Sequence, residues 1–257
     1  MSSTNLYRKN PPDGTVGIVI PMRDNLHYFK LAFHSVLSFT DVPYMLTIVD
    51  NMSTFQTRLY LRSLMRNHQI NVMQYQEDFN YGAEVNIAMR QMFENPDVKF
   101  GLCLNSDTVV EKGWLKNLSE NFRQHPKLGV VGPISNIAIP PQQIGRSSDL
   151  FDTEYVSGFC MMFRREVFEA LDGFDERYVG GCYEDQDFCI RAIEKGWHVS
   201  IDSSVYIHHF WRVTRNLDPL ANENVQKNRE RFLQKFQNIN LEKIHTFPAR
   251  LAKALRE

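Results

Sequence analysis

Long apolar runs are missing from this chain. Those present, such as Val16–Pro21 and Gly101–Leu104, stop far short of the roughly 20 apolar residues that a membrane-spanning helix needs. Residues 1–14 are polar and lack the apolar centre of a secretory signal, so they are expected to form a flexible lead-in. An excess of either charge is missing too. Lys and Arg number 29 and Asp and Glu 30, a formal net charge of -1, which offers no field for nucleic acid or another polyanion. The four cysteines, Cys103, Cys160, Cys182 and Cys189, make no CxxC pair and no zinc-like spacing with histidine. Cys103 and Cys160 stand in apolar runs, where a reduced thiol packs as a small core group, and a reducing, cytoplasmic compartment is expected. There is no GxxxxGK-Ser/Thr loop and no GxGxxG fingerprint, which argues against P-loop kinases and dinucleotide-dependent dehydrogenases. Repeats and low-complexity tracts are absent as well, and 257 residues with 43% hydrophobic content suit one large α/β unit with a sizeable core.

What is present is an alternation of strand and helix signals. Thr15–Pro21, Tyr44–Val49, Ile70–Tyr75 and Phe100–Leu104 read as short buried strands. Between them, Phe29, Ala32, Phe33, Val36 and Leu37 share a helical face, and a second helix is expected over about Thr54–Asn67. Asn80 is placed to cap a third, whose Val85, Ala88, Met89, Met92 and Phe93 fall together. Such units argue for a mostly parallel sheet with helices on both faces. Ligands then bind beyond the carboxyl ends of the strands, which selects Pro21–Asp24, Asp50–Ser53, Asp78–Gly82 and Asn105–Thr108. The second half is less regular. Leu128–Ile134, Val156–Phe163 and Val199–Ile207 are strand-like, and Arg165–Leu171 and Asp187–Lys195 helical. Ser135–Tyr155 is expected to be a long binding loop, and a helix carrying Val225, Phe232 and Phe236 to follow Asp218.

Four sets of residues could carry chemistry. Asp107 follows a buried strand, where its carboxylate could hold a divalent cation against a pyrophosphate or serve only as a turn acid. Asp50, also at a strand end, could accept from a ribose hydroxyl or a base N–H, or cap the next helix, for which Ser53 or Thr54 is the more natural cap. Glu184, Asp185 and Asp187 cluster at a helix start after Gly180-Gly181, a position the helix dipole favours for acids in any protein. Asp187 is spaced to pair with Arg191, which leaves Glu184 and Asp185 as candidate general bases. His208 and His209 end a strand, where an imidazole could meet a metal or a phosphate or simply pack.

Taken in order, these residues resemble a known family. Val19-Ile20-Pro21, Val49-Asp50-Asn51-Met52-Ser53-Thr54, Asn80-Tyr81-Gly82 with Asn86, and Asn105-Ser106-Asp107 are similar to the nucleotide-binding half of glycosyltransferase family two. Val156-Ser157-Gly158-Phe159-Cys160-Met161-Met162-Phe163, with Gly173-Phe174-Asp175-Glu176, Glu184-Asp185-Gln186-Asp187 and Arg191, resembles the acceptor half. Val205-Tyr206-Ile207-His208-His209-Phe210 with Thr214 looks like the family's terminal histidine segment.

The resemblance implies a GT-A type, Rossmann-like α/β fold over residues 15–214, divided into a nucleotide half (about 15–110) and an acceptor half (about 111–214), with a helical extension over 215–257. It implies an inverting enzyme that moves a sugar from a UDP-, dTDP- or GDP-sugar to a hydroxyl of a glycan or lipid-linked acceptor. Asp185 would be the base, supported by Glu184. Pro21, Asp50, Asn51, Asn80, Gly82, Asn86, Asn105, Ser106, Asp107 and Gly158 would line the donor site. Asp107 with His209 or His208 would hold Mn2+ or Mg2+, and the offset to Thr214 favours His209. Asn105 replaces the first aspartate of the DxD motif, which leaves strict metal dependence open. The competing reading is a catalytically silent sugar- or nucleotide-binding module on the same fold. The tail carries Lys227, Arg229, Arg231, Lys235, Lys243, Arg250, Lys253 and Arg256. It could dock peripherally on the inner face of a membrane, but a helix packing Phe232 and Phe236 on the domain is preferred.

Overall fold

A computed structural model describes residues 14–68, 70–76, 79–138, 142–143, 145–210 and 220–237. The chain runs β1 (Thr15–Met22), α1 (Leu26–Phe39), β2 (Tyr44–Asn51), α2 (Phe55–Asn67), β3 (Asn71–Tyr75), α3 (Tyr81–Phe93) and β4 (Val98–Leu104). These strands pair parallel in the order β3-β2-β1-β4. Alternate β1 residues face opposite sides, and both sides are covered, so Val16–Met22 is buried throughout. Val16, Ile18 and Ile20 share one core with Phe29 and Phe33 of α1 and Leu61 and Leu64 of α2. Val19 and Cys103 share the other with Val85, Ala88 and Met89 of α3. Right-handed crossovers account for this division. The chain steps outward from β1 to β3 over one face and returns to β4 over the other, leaving a crevice where the direction reverses between β1 and β4.

Beyond β4 come β5 (Thr108–Val109), α4 (Trp114–Gln124), β6 (Leu128–Ile134), β7 (Leu150–Asp152), β8 (Cys160–Arg164), α5 (Arg165–Leu171), α6 (Glu184–Glu194), β9 (His198–Tyr206), β10 (His208–His209) and α7 (Ala221–Lys235). The eight-stranded sheet continues β4-β8-β6-β9-β7, and here it becomes mixed. β8 runs antiparallel to both β4 and β6, while β6 and β9 are parallel. A Cβ on Gly101 of β4 would come within 2.4 Å of the Phe163 ring, so glycine is what lets β8 close against β4.

Several expected boundaries move. Helix α4, with Trp114, Leu115, Leu118 and Phe122 buried, falls in a stretch where no helix was anticipated. The segment expected to be a long loop contains β7, which pairs with β9. Helix α6 begins at Glu184 rather than Asp187, and β8 at Cys160 rather than Val156. Asp78, Thr214 and the tail cations Lys243, Arg250, Lys253 and Arg256 lie outside the described residues.

Candidate active site

Asp50 is the penultimate residue of β2 and has no exposed surface. Its Oδ1 accepts from the Ser53 N–H at 3.2 Å and its Oδ2 from Gln74 Nε2 at 3.2 Å, with Arg58 Nε 3.8 Å away. Neither Ser53 nor Thr54 caps α2 through its side chain, and the residue before the helix is held instead by Asp24 of the neighbouring loop. Its Oδ1 takes the Thr54 N–H at 2.9 Å and the hydroxyls of Thr54 and Thr57, and the Asp24 N–H donates to Ser53 Oγ. Two rim loops from consecutive strands are thereby fastened to each other.

Asp107 lies past β4, and the two-stranded ribbon of β5 and β10 carries His209 to it. His209 pairs with Thr108 and His208 with Val109. Successive strand residues point to opposite faces, so only one histidine can face Asp107. His209 Nε2 is 3.3 Å from Asp107 Oδ1 and 3.4 Å from Asn105 Nδ2. The ring stacks on Phe159 at 5.0 Å, and the Asn136 amide brackets the His209 backbone with bonds of 2.8 and 3.1 Å. His209 Nδ1 is buried without a partner. His208 turns away, to the Tyr206 hydroxyl at 3.3 Å and the edge of Phe210.

The acid pair opens α6. Gly180, Gly181 and Tyr183 all lie at positive φ (70°, 70° and 75°), a sharp approach that sets Glu184 and Asp185 in the first helical turn. Asp185 Oδ2 accepts from the Tyr155 hydroxyl at 2.9 Å and the Gly158 N–H at 2.8 Å, and Oδ1 from the Gln186 N–H at 2.9 Å. Burial raises the Asp185 carboxyl, and these hydrogen bonds to its charged form oppose the rise. Glu184 has only backbone N–H support, from Cys182 and its own residue, and its Oε2 is buried without a partner. Burial, and then the neighbouring Asp185 charge, push it up to about 8. Burial and mutual repulsion thus bias this pair of carboxyls toward its protonated forms. Asp187 serves structure. It contacts Arg191 and Lys235 and accepts from the Tyr178 hydroxyl at 3.1 Å.

Residues 17–172 match the family model described as glycosyl transferase family 2. The chain belongs to glycosyl transferase family 2. Residues 147–213 also match a model described as the N-terminal domain of galactosyltransferase. The O-antigen biosynthesis protein RfbC of Myxococcus xanthus is 27% identical over 246 residues, 83% of this chain but 19% of that protein. The O-antigen chain rhamnosyltransferase WbaN of Salmonella anatum is 26% identical over 196 residues, 69% of this chain and 60% of WbaN. This chain thus spans from a fifth to three fifths of these two relatives. Among solved structures, S. aureus TarS 1-349 superposes with a TM-score of 0.64 at 17% identity, covering 90% of this chain and 68% of that one. The mannosyltransferase PcManGT from Pyrobaculum calidifontis, solved with GDP-Man and Mn2+, gives 0.62 at 15% identity, with 76% and 56% covered. The fold is the GT-A type, a large central sheet flanked by helices.

Within this family 2 domain, three residues expected in the donor site also make structural contacts. Asn80 caps α3, its Oδ1 accepting from the Ala83 N–H at 2.9 Å, while Nδ2 donates to the Glu176 carbonyl. Asn86 is fully buried and brackets Phe174 through both N–H and C=O, with Glu176 Oε1 at 2.8 Å. Gly82 packs under the same loop, where a Cβ would stand 3.4 Å from Phe174 and from the Asp175 carbonyl. Together they fasten residues 174–176 to α3. Pro21 is buried in β1 opposite Val49, the Asn51 amide donates to the Phe79 carbonyl and contacts Glu84, and Ser106 is buried beside Asp107.

Asn228 of α7 gave no sequence signal, since nothing distinguishes a lone helical asparagine. It has no exposed surface. Its Oδ1 accepts from the Val179 N–H at 3.0 Å, and its Nδ2 donates to the carbonyls of Val179 and Cys182 at 2.8 and 3.0 Å. Phe232 packs against Tyr183 at 5.3 Å. The turn that presents the acid pair is thus held from behind by α7.

Among the described residues no group of three or more His, Cys, Asp and Glu could enclose a metal. Asp107 and His209 offer two donors, an oxygen and a nitrogen. That suits Mn2+ or Mg2+, which take one or two protein ligands and complete their shell with phosphate oxygens and water.

Proposed function

We propose that this domain transfers a sugar from a nucleoside-diphosphate sugar to an acceptor hydroxyl with inversion at the anomeric carbon. One observation carries the proposal: the Gly158-Phe159 dipeptide joins the two acidic centres. The Gly158 N–H binds Asp185, the Phe159 carbonyl accepts from the Asn105 N–H at 2.8 Å, and the Phe159 ring stacks on His209. A base and a diphosphate site built on adjacent residues suit a reaction in which a deprotonated acceptor oxygen attacks one face of a sugar carbon and a diphosphate leaves from the other.

Asp185 would take the proton of the acceptor hydroxyl, its ionised form held by Tyr155, Gly158 and Gln186. The acceptor oxygen would then bond to the anomeric carbon as the bond to the diphosphate oxygen breaks, in line and from opposite faces. Glu184, kept neutral beside it, adds no second charge to repel the developing alkoxide. Asp107 and His209 would hold Mn2+ or Mg2+, which supplies charge neutralisation for the departing diphosphate. Asp50 and Asn51 stand at the nucleoside end. The names of the relatives support a surface glycan as acceptor, and UDP-, dTDP- and GDP-sugars are the donors to screen.

The test is release of nucleoside diphosphate from a panel of such donors, followed by the anomeric configuration of the product. Product of inverted configuration, with release lost in Asp185→Asn, bears the proposal out. Nucleotide binding without release from any donor points to a binding module instead.

A further inference from the structure

We infer that the outward face of α1 and α2 is a docking surface for an anionic lipid bilayer. Exposed large hydrophobic residues are concentrated there. Leu31 and Phe39 of α1 are 40% and 41% exposed, and Phe55, Leu59 and Met65 of α2 are 75%, 57% and 46% exposed. Outside this region, only Val179 and Leu220 join them among the described residues, with Met52 at the start of the same layer. On α2, Phe55, Leu59, Arg62 and Arg66 recur at i, i+4, i+7 and i+11, one exposed stripe, with Arg62 Nε also donating to Gln74 Oε1 of β3 at 3.3 Å. The opposite stripe, Thr57, Leu61 and Leu64, is the buried one. The two helices lie side by side, with Phe29 6.5 Å from Tyr60 and Lys30 Nζ 4.7 Å from the Tyr60 ring centre.

Charge selects the occupant. Residues 25–40 and 51–76 contain no Asp or Glu, in a chain that has 30, while they hold Lys30, Arg58, Arg62 and Arg66. Five acids flank these ranges in sequence: Asp24, Asp41, Asp50, Glu77 and Asp78, of which Asp50 is buried 3.8 Å from Arg58 Nε. Asp24 has its Oδ1 committed to the Thr54 N–H and the Thr54 and Thr57 hydroxyls, and Asp41 lies beyond the end of α1. Apolar side chains set among cations, with no anion between them, match a headgroup layer that is negative above and apolar below. Helix α7 is a poorer match. It carries Glu223 and Glu230 and buries Phe232 and Phe236 against Tyr178 and Ile190. The docking itself does not depend on the catalytic reading.

Flotation of the full chain with vesicles tests this. Protein should float with phosphatidylglycerol mixed into phosphatidylcholine at low salt, and stay down with phosphatidylcholine alone or at high salt. Phe55→Ser with Leu59→Ser should reduce the bound fraction about tenfold or more, since each apolar side chain contributes about that factor when buried. Arg62→Glu with Arg66→Glu should reduce it at least as far, about fivefold or more for each cation removed. Thermal unfolding within a few degrees of the parent chain certifies that both variants fold. Three results overturn the inference: no flotation of the parent chain, flotation unchanged in both double variants, or loss only when Lys243, Arg250, Lys253 and Arg256 are changed to Glu. A parent dimer in light scattering that Phe55→Ser/Leu59→Ser splits, without flotation, would assign the face to a second copy of the chain instead.

Discussion

The backbone N–H of Gly158 donates a 2.8 Å hydrogen bond to Asp185 Oδ2, joining the turn before β8 to the first turn of α6 across 27 residues. A Cβ at residue 158 would stand 3.5 Å from both that carboxylate oxygen and the Tyr81 hydroxyl. The bond therefore fixes where the charge sits, and on the next residue Phe159 performs the same service for His209.

Asp185→Asn should lower sugar transfer by about a thousandfold, within the range general bases contribute. The asparagine is isosteric and keeps acceptors for Tyr155 or Gly158, so nucleotide binding should persist. Turnover and calorimetric nucleotide affinity, measured together, separate loss of the base from loss of the fold.

Glu184 gives stability a pH dependence whose sign is fixed by its raised carboxyl. Between its ordinary value of 4.5 and about 8, the folded chain holds a proton that the unfolded chain has lost. Stability from this group is thus greatest below pH 4.5 and declines as pH rises to about 8. Glu184→Gln should flatten that part of the profile and be more stable than the parent at pH 8. Melting temperatures across this range are the check.

Asn228→Ala removes three hydrogen bonds to residues 179–182 and leaves buried backbone groups unpaired. It should cost about 2–3 kcal/mol of stability. It should also lower kcat while nucleotide affinity stays unchanged, because α7 touches the acceptor-side turn and not the β1–β4 rim. Asn228→Asp should be no better, since a carboxylate would face the Val179 and Cys182 carbonyls.

Gly101→Ala should destabilise the junction of β4 and β8 by about 1–3 kcal/mol, the usual cost of overpacking, because its methyl would meet the Phe163 ring. Pairing the change with Phe163→Leu should recover part of the loss in denaturant midpoint.

How much of this was legible varies with the range of the interactions. Helix α3 was readable because both its signals are local: Asn80 caps it, and Val85, Ala88, Met89, Met92 and Phe93 are buried. Helix α4 has an equally clear apolar face, but its start carries no signal. Its cap residue is Gly113 at φ 81°, with no side-chain cap and no acid in the first turn. β7 is three residues long, too short for alternation to register, and forms by pairing with β9. The strand-end acids Asp50 and Asp107 followed from the parallel-sheet pattern alone. The pairing of His209 with Asn105 and Asp107 bridges more than a hundred residues, and the hold of Asn228 on Val179 bridges 49. No local pattern encodes either. Asn80 and Asn86 also tie down residues 174–176, a role that polar residues beside a rim do not reveal in sequence.

The central claim is a diphosphate site at Asp107 and His209, and thermal unfolding with UDP, GDP, dTDP and CDP, each with and without Mn2+, tests it most directly. A ligand at a hundredfold excess over its Kd should add about 2.7 kcal/mol of stability. The account predicts a Mn2+-dependent rise with one of these nucleotides that disappears in Asp107→Ala. No rise with any of them, or one that survives Asp107→Ala unchanged, would contradict it.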